Sequence, residues 1–276
     1  MYNKLNHSKL YCYTSHLLEQ GKPKRKRGEG KKNEVCYAEI VVMLYDLNIP
    51  CPAQRDHQTI ERLLLILSRF SQLDTSTIAL NHVMEGYNPT KFKRMEPIVF
   101  EQVKYPVNQL SRLTIDTNTP LPDDAVQKAR EYYDLVSIRT SDPCVFEQAC
   151  TKLAVDVIAL DCSQRLPFHI DPLLVQAAVD RDIYFEICYS PGIRDGTARG
   201  YLIQISKQWA NYTGKHHLLF SSEALSVSDI RPPGFVYYFA KSIGLPNDKA
   251  KCMTMHDLSV WIKSRRINCF FSQINK

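Results

Sequence analysis

The sequence predicts an α/β protein whose main domain is a (β/α)8 TIM-like barrel, preceded by a disordered basic N-terminal tail. From residue 40 onward, short β-branched apolar runs alternate with segments of helical period, as in chains that join parallel strands through crossover helices. Eight strands and eight helices fit the remaining length, which is the number that closes a barrel. A doubly wound open sheet is the alternative, because one sequence does not reveal the strand order.

The predicted strands are short apolar runs rich in β-branched and aromatic residues. In chain order they are Ile40–Tyr45, Thr77–Asn81, Arg112–Ile115, Leu135–Arg139, Val155–Asp161, Ile183–Cys188 and His217–Ser221, with either Leu258–Ile262 or Ile267–Phe271 as the eighth. Even the longest apolar runs fall far short of the roughly 18 residues that a membrane-spanning helix needs. We therefore predict no membrane partner.

Two helices are predicted with definite ends. The first begins after Asp56 as its N-cap and carries apolar side chains at helical spacing, namely Ile60, Leu63, Leu64 and Leu67. The second runs from Gly196 to Tyr212 and stops at Gly214. Its inward residues are Leu202, Ile205 and Trp209.

The predicted tail, residues 1–39, follows no sustained period and is interrupted by glycine and proline. Its Lys22–Lys32 segment holds seven basic residues against one acid, a local charge of +6, so the rest of the chain has 28 residues of each sign. Any nucleic-acid affinity of that balanced remainder must come from a local patch. The segment is a solvated charge cluster, a nucleic-acid arm or a nuclear import signal, whose candidate residues are Lys22, Lys24, Arg25, Lys26 and Arg27.

Motifs that carry chemistry are missing. The nine cysteines include no CxxC pair, which argues against a zinc ribbon or disulfide scaffold and indicates reduced thiols inside the cell. The sequence also lacks GxSxG, GxxxxGK[ST] and GxGxxG. We therefore predict no catalytic residue, no metal ligand and no cofactor.

Polar residues do fall at or near the predicted strand ends, where barrel enzymes hold their catalytic groups. They are Asp46, His82, Asp161, Glu186 and Glu223. Metal-dependent phosphoesterase barrels usually open with HxH or DxH there, whereas this chain has LYDLNIP, so a metal would need scattered single ligands. A metal-dependent phosphoesterase on a related barrel is the alternative function. The other interpretation makes His82 a hydrogen-bonded residue and Glu186 a buried acid with a partner.

The loop after the sixth strand reads YSPGIRDGTARGY and places Arg194 and Arg199 around two glycines. A helix N-terminus with free N–H groups beside an arginine is a ready site for a phosphate oxygen. In the competing interpretation, Asp195 caps the helix and Arg194 pairs with a neighbouring acid such as Glu186. Spacing alone favours neither.

The segment AAVDRDIYFEICYSPGIRDGTARGY, residues 177–201, resembles the signature of the TIM-barrel protein subunit shared by archaeal and eukaryotic ribonuclease P and by ribonuclease MRP. Further blocks match in order, namely YDLNI, IALNH, SRLTI, YDLVSIR, VDVIALDCSQRLPF, LLFSSEAL, RPPGFV and IGLPNDKAK. The resemblance covers about residues 44–262 and implies that the eighth strand is Leu258–Ile262. The predicted domains are then the tail at 1–39, the barrel at 40–263 and a C-terminal extension at 264–276.

The resemblance implies a noncatalytic subunit, because in this family the RNA removes the 5′ leader of precursor tRNA and the barrel supports its fold. The implied partners are ribonuclease P RNA, ribonuclease MRP RNA and other protein subunits, including a small ribonucleoprotein-like one, with precursor tRNA reached indirectly. The implied location is the nucleus and its nucleolus, and rRNA processing is a further implied role. Carried over residue by residue, the RNA-contact candidates are Arg112, Arg165, Arg194, Arg199 and Arg231.

Three positions depart from the family pattern. Asp182 stands where the family has a glycine, Gly200 replaces the second arginine of an RR pair, and Leu225 lies where Arg-Pro is common. Backbone and phosphate contacts at these places are the ones that the resemblance supports least.

Overall fold

The structure, a computed structural model, describes residues 45–73, 77–99, 107–252 and 261, all of which lie in one unit of the chain, Glu39–Lys276. Seven parallel strands form one sheet in sequential order. They are β1 Tyr45–Pro50, β2 Thr77–Glu85, β3 Asn108–Asp116, β4 Leu135–Arg139, β5 Val157–Ala159, β6 Tyr184–Cys188 and β7 Leu218–Ser221. Each strand pairs with the next along the chain, so the sheet curls into a nearly closed, TIM-like barrel. The doubly wound alternative, whose strand order reverses, is wrong.

Helices alternate with these strands and cover the outer face of the sheet. They are α1 His57–Gln72, α2 Ala125–Ala129, α3 Pro143–Thr151, α4 Pro172–Asp180, α5 Ser190–Arg194, α6 Gly196–Tyr212, α7 Pro233–Ser242 and α8 Asn247–Cys252. The predicted cap of α1 is confirmed, because Asp56 accepts the amide of Thr59 at 2.8 Å. The bounds and inward residues of α6 are also confirmed, and Gly214 follows it with a left-handed φ of +60°.

The seam between β1 and β7 closes the barrel without a strand ladder in the part of the chain described. The amide of Glu223 donates to the carbonyl of Asn48 at 3.1 Å. The amide of Ser222 donates to the Asp46 carboxylate at 3.1 and 3.2 Å. The register of β1 shifts between Asp46 and Ile49, so this strand departs from the regular pleat where it meets β7.

The barrel interior is layered, because residues two apart on a strand face the same side. Near the N-terminal ends of the strands lies a buried apolar layer, made of Tyr45, Leu47, Ala79, Leu110, Leu135, Val157, Tyr184 and Leu219. Two residues further along, several strands supply polar side chains instead, namely Asn81, Arg112, Ser137, Glu186 and Ser221. The alternate residues, such as Leu113 and Phe185, face the helices and form the larger apolar core.

Trp261 belongs to the apolar layer at the N-terminal end of the barrel. It is 4% exposed, its ring centroid lies 4.6 Å from that of Tyr184, and its indole N–H donates to the carbonyl of Asp182 at 3.4 Å. Its backbone is helical. The prediction of an eighth strand at Leu258–Ile262 is therefore wrong at Trp261, and the other four residues of that segment lie outside the described ones.

The remaining strand predictions differ from the structure mainly at their ends. The predicted β4 is confirmed residue for residue, whereas β2 and β3 continue beyond the predicted bounds and β5 is shorter. Asp46 lies inside β1 and does not end it, because that strand runs to Pro50. Residues 40–44, the tail with its import candidates and the extension at 264–276 lie outside the described residues. No helix in the described part of the chain is long and apolar enough to span a membrane.

Candidate functional site

An ion pair occupies the middle of the barrel interior. The two terminal nitrogens of Arg112 donate to the two carboxylate oxygens of Glu186, at 2.6 and 2.7 Å, and both side chains are completely buried. Arg112 also donates to the carbonyl of Leu47 and to the hydroxyl of Ser137. The resemblance implies that Arg112 contacts RNA, whereas in this structure the barrel wall encloses its guanidinium and leaves no exposed surface for such a contact. The prediction of a paired Glu186 is confirmed.

Hydrogen bonds from neighbouring strands hold the Glu186 carboxylate in its ionised form. The Ser221 hydroxyl donates to it at 2.7 Å and the Asn48 amide at 3.1 Å. Burial by itself raises the pKa of Glu186, but the Arg112 charge and these hydrogen bonds outweigh it, so the pKa lies below its ordinary value. The centre of the barrel is thus a connected polar network, in which the Nε of Arg112 is the atom without a hydrogen-bond partner among the described residues.

A second ion pair spans the C-terminal mouth of the barrel. Arg139, at the end of β4, donates to Glu223 at 2.6 Å, and each side chain is about one-fifth exposed. Glu223 follows β7 with a left-handed φ of +53°, a conformation that costs energy for a residue with a side chain. Burial raises the pKa of nearby Asp116. The mouth therefore mixes one arginine with several acids and does not form a uniformly basic patch.

The residues that a metal-dependent phosphoesterase would use are engaged elsewhere. Asp46 is completely buried against the Ser222 amide, and burial raises its pKa to about 7 despite the amides that donate to it. His82 contacts the Tyr133 hydroxyl at 2.8 Å through Nδ1, and burial lowers its pKa. No group of three His, Cys, Asp or Glu side chains placed to hold a metal occurs among the residues described.

The loop after β6 folds into a short helix, α5, and its backbone amides have protein partners. The Asp195 carboxylate accepts the amides of Thr197 and Ala198, at 2.5 and 3.2 Å, as the N-cap of α6. Arg194 donates to Asp229 at 3.3 Å and does not reach Glu186. The predicted cap by Asp195 is thus confirmed. Arg194 pairs with an acid, as the competing interpretation expects, but that acid is Asp229 and not Glu186. The expected free N–H groups beside Arg194 are occupied by Asp195.

Two grooves lie on opposite sides of α6. The polar groove, about 340 Å³, is lined by Arg165, His169, Tyr201, Gln204 and Gln208 together with apolar residues of the loop after β5. Arg165 is exposed, and no side-chain hydrogen bond engages it among the described residues. Its guanidinium is therefore open to a phosphate, beside a tyrosine and two amides that could contact a base or ribose.

The apolar groove, about 540 Å³, lies between α5, α6 and α7. Arg199 and Arg231 stand at its sides. The Nε of Arg199 donates to the carbonyl of Gly192 at 2.8 Å, and Arg231 donates to the carbonyl of Ser228 at 2.6 Å. Both arginines are thus fixed by backbone carbonyls, which leaves their positive charges available to a ligand.

Sequence reasoning did not find several of these residues. Arg139 ends the matched block YDLVSIR, so its position at a strand end was a usable signal. Asp229 lies 35 residues from Arg194, and no local pattern connects them. Gln204 and Gln208 are four apart on α6, but helical spacing alone does not show that a loop from β5 completes a groove with them.

Comparison with known proteins gives one consistent result. A family model described as RNase P subunit p30 matches residues 43–266. The probable ribonuclease P protein subunit 3 of Schizosaccharomyces pombe is 28% identical over 212 residues, which cover 76% of this chain and 88% of that protein. The ribonuclease P/MRP protein subunit RPP1 of Saccharomyces cerevisiae is 24% identical over 233 residues, covering 79% of this chain and 78% of that one.

Two further similarities differ in extent. The protein GAMETOPHYTE DEFECTIVE 1 of Arabidopsis thaliana is 30% identical over 149 residues, which cover 53% of this chain but only 26% of that longer protein. A chain in a cryo-EM structure of archaeal ribonuclease P with mature tRNA superposes with a TM-score of 0.54 at 16% identity, over 82% of this chain and 90% of that one. This superposition supports the barrel fold.

Proposed function

Because this chain belongs to the RNase P subunit p30 family, we propose that it is a noncatalytic protein subunit of the ribonuclease P ribonucleoprotein and of ribonuclease MRP. In that role it supports the RNA-catalysed removal of the 5′ leader from precursor tRNA, and rRNA processing through ribonuclease MRP. The family match over residues 43–266 carries the proposal, since it includes all seven described strands.

The interior chemistry of the barrel supports a noncatalytic role. Two completely buried acids, Asp46 and Glu186, are bound to the Ser222 amide and to Arg112. Burial also raises the pKa of the Cys162 and Cys188 thiols, so neither is an activated nucleophile. The phosphoesterase alternative would need these groups free, and no observation favours it.

We propose that this chain contacts RNA from outside the barrel, with Arg165 as the leading candidate. The polar groove around it offers a charge for a phosphate, and the Tyr201 ring and the amide of Gln204 for a base or ribose. Arg194 is a second candidate, although Asp229 holds it, because its side chain is 36% exposed. Such contacts recognise shape and backbone more than sequence.

The remaining partners and the location belong to the same proposal. The partners are the ribonuclease P and MRP RNAs and other protein subunits, including a small ribonucleoprotein-like one, with precursor tRNA reached through the particle. The nucleus and nucleolus are the proposed location, with Lys22–Lys32 as the import signal, since short segments rich in Lys and Arg, here seven among eleven residues, are typical of such signals.

Purification of the tagged full-length chain tests the proposal. Sequencing of the RNA that co-purifies should return ribonuclease P RNA and ribonuclease MRP RNA, and the eluate should remove the 5′ leader of a precursor tRNA. An eluate from untagged cells is the control. Recovery of neither RNA above that control would contradict the proposal, and recovery of one RNA would assign the chain to one of the two particles.

A further inference from the structure

The apolar groove between α5, α6 and α7 exposes hydrophobic side chains that no described residue covers. Its walls include Ile193 and Ile203, and the aromatic rings of Phe235 and Tyr238 stand at its opening. Phe235 is 39% exposed and Tyr238 is 64% exposed. Clustered exposed apolar side chains of this kind mark interaction surfaces in soluble proteins.

The aromatic side of the groove is held in place before any ligand arrives. The centroid of the Phe235 ring lies 6.0 Å from that of the Tyr189 ring. The Arg231 guanidinium lies over the Phe235 ring, 6.0 Å from its centroid. Tyr189 is fully buried. A rigid Tyr, Phe and Arg cluster loses little conformational entropy on binding, which is why such residues dominate binding surfaces.

The charge around the groove is positive. Arg199 and Arg231 both donate to backbone carbonyls, and neither forms an ion pair with a described acid. The neighbouring acid Asp229 is almost completely buried and already bound to Arg194. A ligand that fits this surface therefore combines apolar side chains for the floor with carboxylates for the two arginines.

We propose that this groove binds an acidic segment of another protein subunit of the same particle, with its apolar side chains seated between α6 and α7. This inference rests on the proposed function. A volume of about 540 Å³ holds two or three large side chains. Each carboxylate of the segment would accept hydrogen bonds from a guanidinium at the side of the groove.

Two other occupants fit the groove less well. The polar groove with Arg165 offers more hydrogen-bonding side chains to RNA phosphates and riboses, whereas Leu202, Ile203 and Phe239 present only carbon atoms in the apolar groove. The two basic terminal segments of this chain carry the wrong charge for a surface that presents arginines. Residues 264–276 contain Arg265, Arg266 and Lys276 and no acid, and Lys22–Lys32 has a local charge of +6.

Site-specific photocrosslinking in the purified particle tests the proposal. A photoreactive phenylalanine analogue replaces Tyr238 in the tagged full-length chain, and the same analogue at Leu173, which is 78% exposed on α4, is the matched control. Mass spectrometry of the crosslinked product should identify, from position 238 alone, a peptide of another subunit that has apolar residues flanked by Asp or Glu. A crosslink to RNA, a crosslink to this chain or no crosslink above the control would overturn the proposal.

Charge reversal tests the electrostatic half of the inference. Arg199→Glu with Arg231→Glu should reduce the crosslinked peptide by about tenfold or more, because like charges then face the carboxylates. Phe235→Ala, with the photoreactive analogue kept at position 238, tests the apolar half and should also reduce the crosslink yield, while thermal unfolding of the same protein checks that the fold is intact. An unchanged crosslink yield in the charge-reversed particle would overturn the carboxylate assignment. Loss of ribonuclease P RNA from the wild-type eluate would instead refute the proposed function.

Discussion

Arg112 and Glu186 form a two-pronged ion pair at the centre of the barrel, with nitrogen–oxygen distances of 2.6 and 2.7 Å and no solvent exposure. Both residues lie in sequence blocks that match the ribonuclease P family. In an RNA-binding family, an arginine in such a block suggests an RNA contact. The pair shows that an arginine in a family-matched block can stabilise the barrel interior instead of contacting RNA.

Removing one member of this pair should destabilise the fold strongly. We expect Arg112→Met to lower the free energy of unfolding by about 3 to 5 kcal/mol, because it leaves the Glu186 charge buried without its partner. Chemical denaturation measures the change. Lys128→Ala, which breaks the exposed pair with Asp124, is the control and should change stability little. The double variant Arg112→Met with Glu186→Leu should lose less than Arg112→Met alone, and a larger loss would contradict this account.

Asp46 should make stability depend on pH. Its folded pKa of about 7 exceeds the ordinary 3.8, so the folded state holds a proton that the unfolded state releases. The stabilisation from this group is full below pH 3.8 and is lost as pH rises to about 7, at up to about 1.4 kcal/mol per pH unit.

The comparison of wild type with Asp46→Asn between pH 5 and pH 7.5 measures this slope by chemical denaturation, with contributions from other titrating groups cancelling between the two proteins. Glu186 acts in the opposite direction and below this window, because its pKa is lowered and its stabilisation is lost only in more acidic solution. Equal slopes in the two proteins would show that Asp46 does not retain a proton.

Arg165 should matter for RNA affinity and little for stability. We expect Arg165→Ala to weaken binding of the particle RNA by about 1 to 3 kcal/mol and to reduce the salt-dependence slope by about one, with Arg165→Lys losing less. Thermal unfolding and binding titrations at several salt concentrations, on the same protein, separate the two effects.

Arg194→Ala is the matched comparison, since Arg194 is tied to Asp229. The amides of Leu225 and Ser226 still donate to Asp229 after that change, so only a small fall in melting temperature is expected. If Arg194→Ala lowers RNA affinity more than Arg165→Ala does, Arg194 and not Arg165 is the main RNA contact.

Deletion of Lys22–Lys32 tests the import signal. The segment carries a local charge of +6, equal to the formal net charge of the whole chain. We expect the protein without this segment, expressed without its partners, to be lost from the nucleus by microscopy. Thermal unfolding should show an unchanged melting temperature of the barrel. Unchanged nuclear levels together with weaker RNA binding would make the segment an RNA arm.

The isolated protein should not cleave precursor tRNA. Asp46 and His82 are bound to the Ser222 amide and the Tyr133 hydroxyl, so neither is placed to activate water through a divalent ion. Incubation of purified protein with precursor tRNA and Mg²⁺ or Mn²⁺, followed by gel analysis, checks this. EDTA-sensitive cleavage that disappears in Asp46→Ala or His82→Ala would restore the phosphoesterase alternative.

Local chemistry predicted part of this fold well. The caps at Asp56 and Asp195 follow from short-range hydrogen bonding, and β4 was delimited by the apolar run Leu135–Arg139 itself. The predicted end of β1 at Tyr45 was too early, because Asp46 and Asn48 interrupt the apolar pattern with polar side chains that only the closed barrel can satisfy. A strand that carries interior polar groups looks like a strand end when read by itself.

The candidate site was harder to predict, because its contacts join distant segments. The partner of Arg112 lies 74 residues away, and that of Arg194 lies 35 residues away. The reason why Asp182 can stand where the family has a glycine is also visible only in the structure. Its φ is +59°, a left-handed conformation that glycine adopts freely and aspartate tolerates better than most residues.

The seam between β1 and β7 has a consequence during protein synthesis. Asp46 and the Ser222 amide that it accepts are 176 positions apart, so the seam cannot form until nearly the whole barrel has left the ribosome. Until then the nascent sheet presents two open edges, at β1 and at the last strand made, and unpaired edges invite pairing with other chains. Translation that pauses before Ser222 would therefore leave an aggregation-prone intermediate for chaperones to protect.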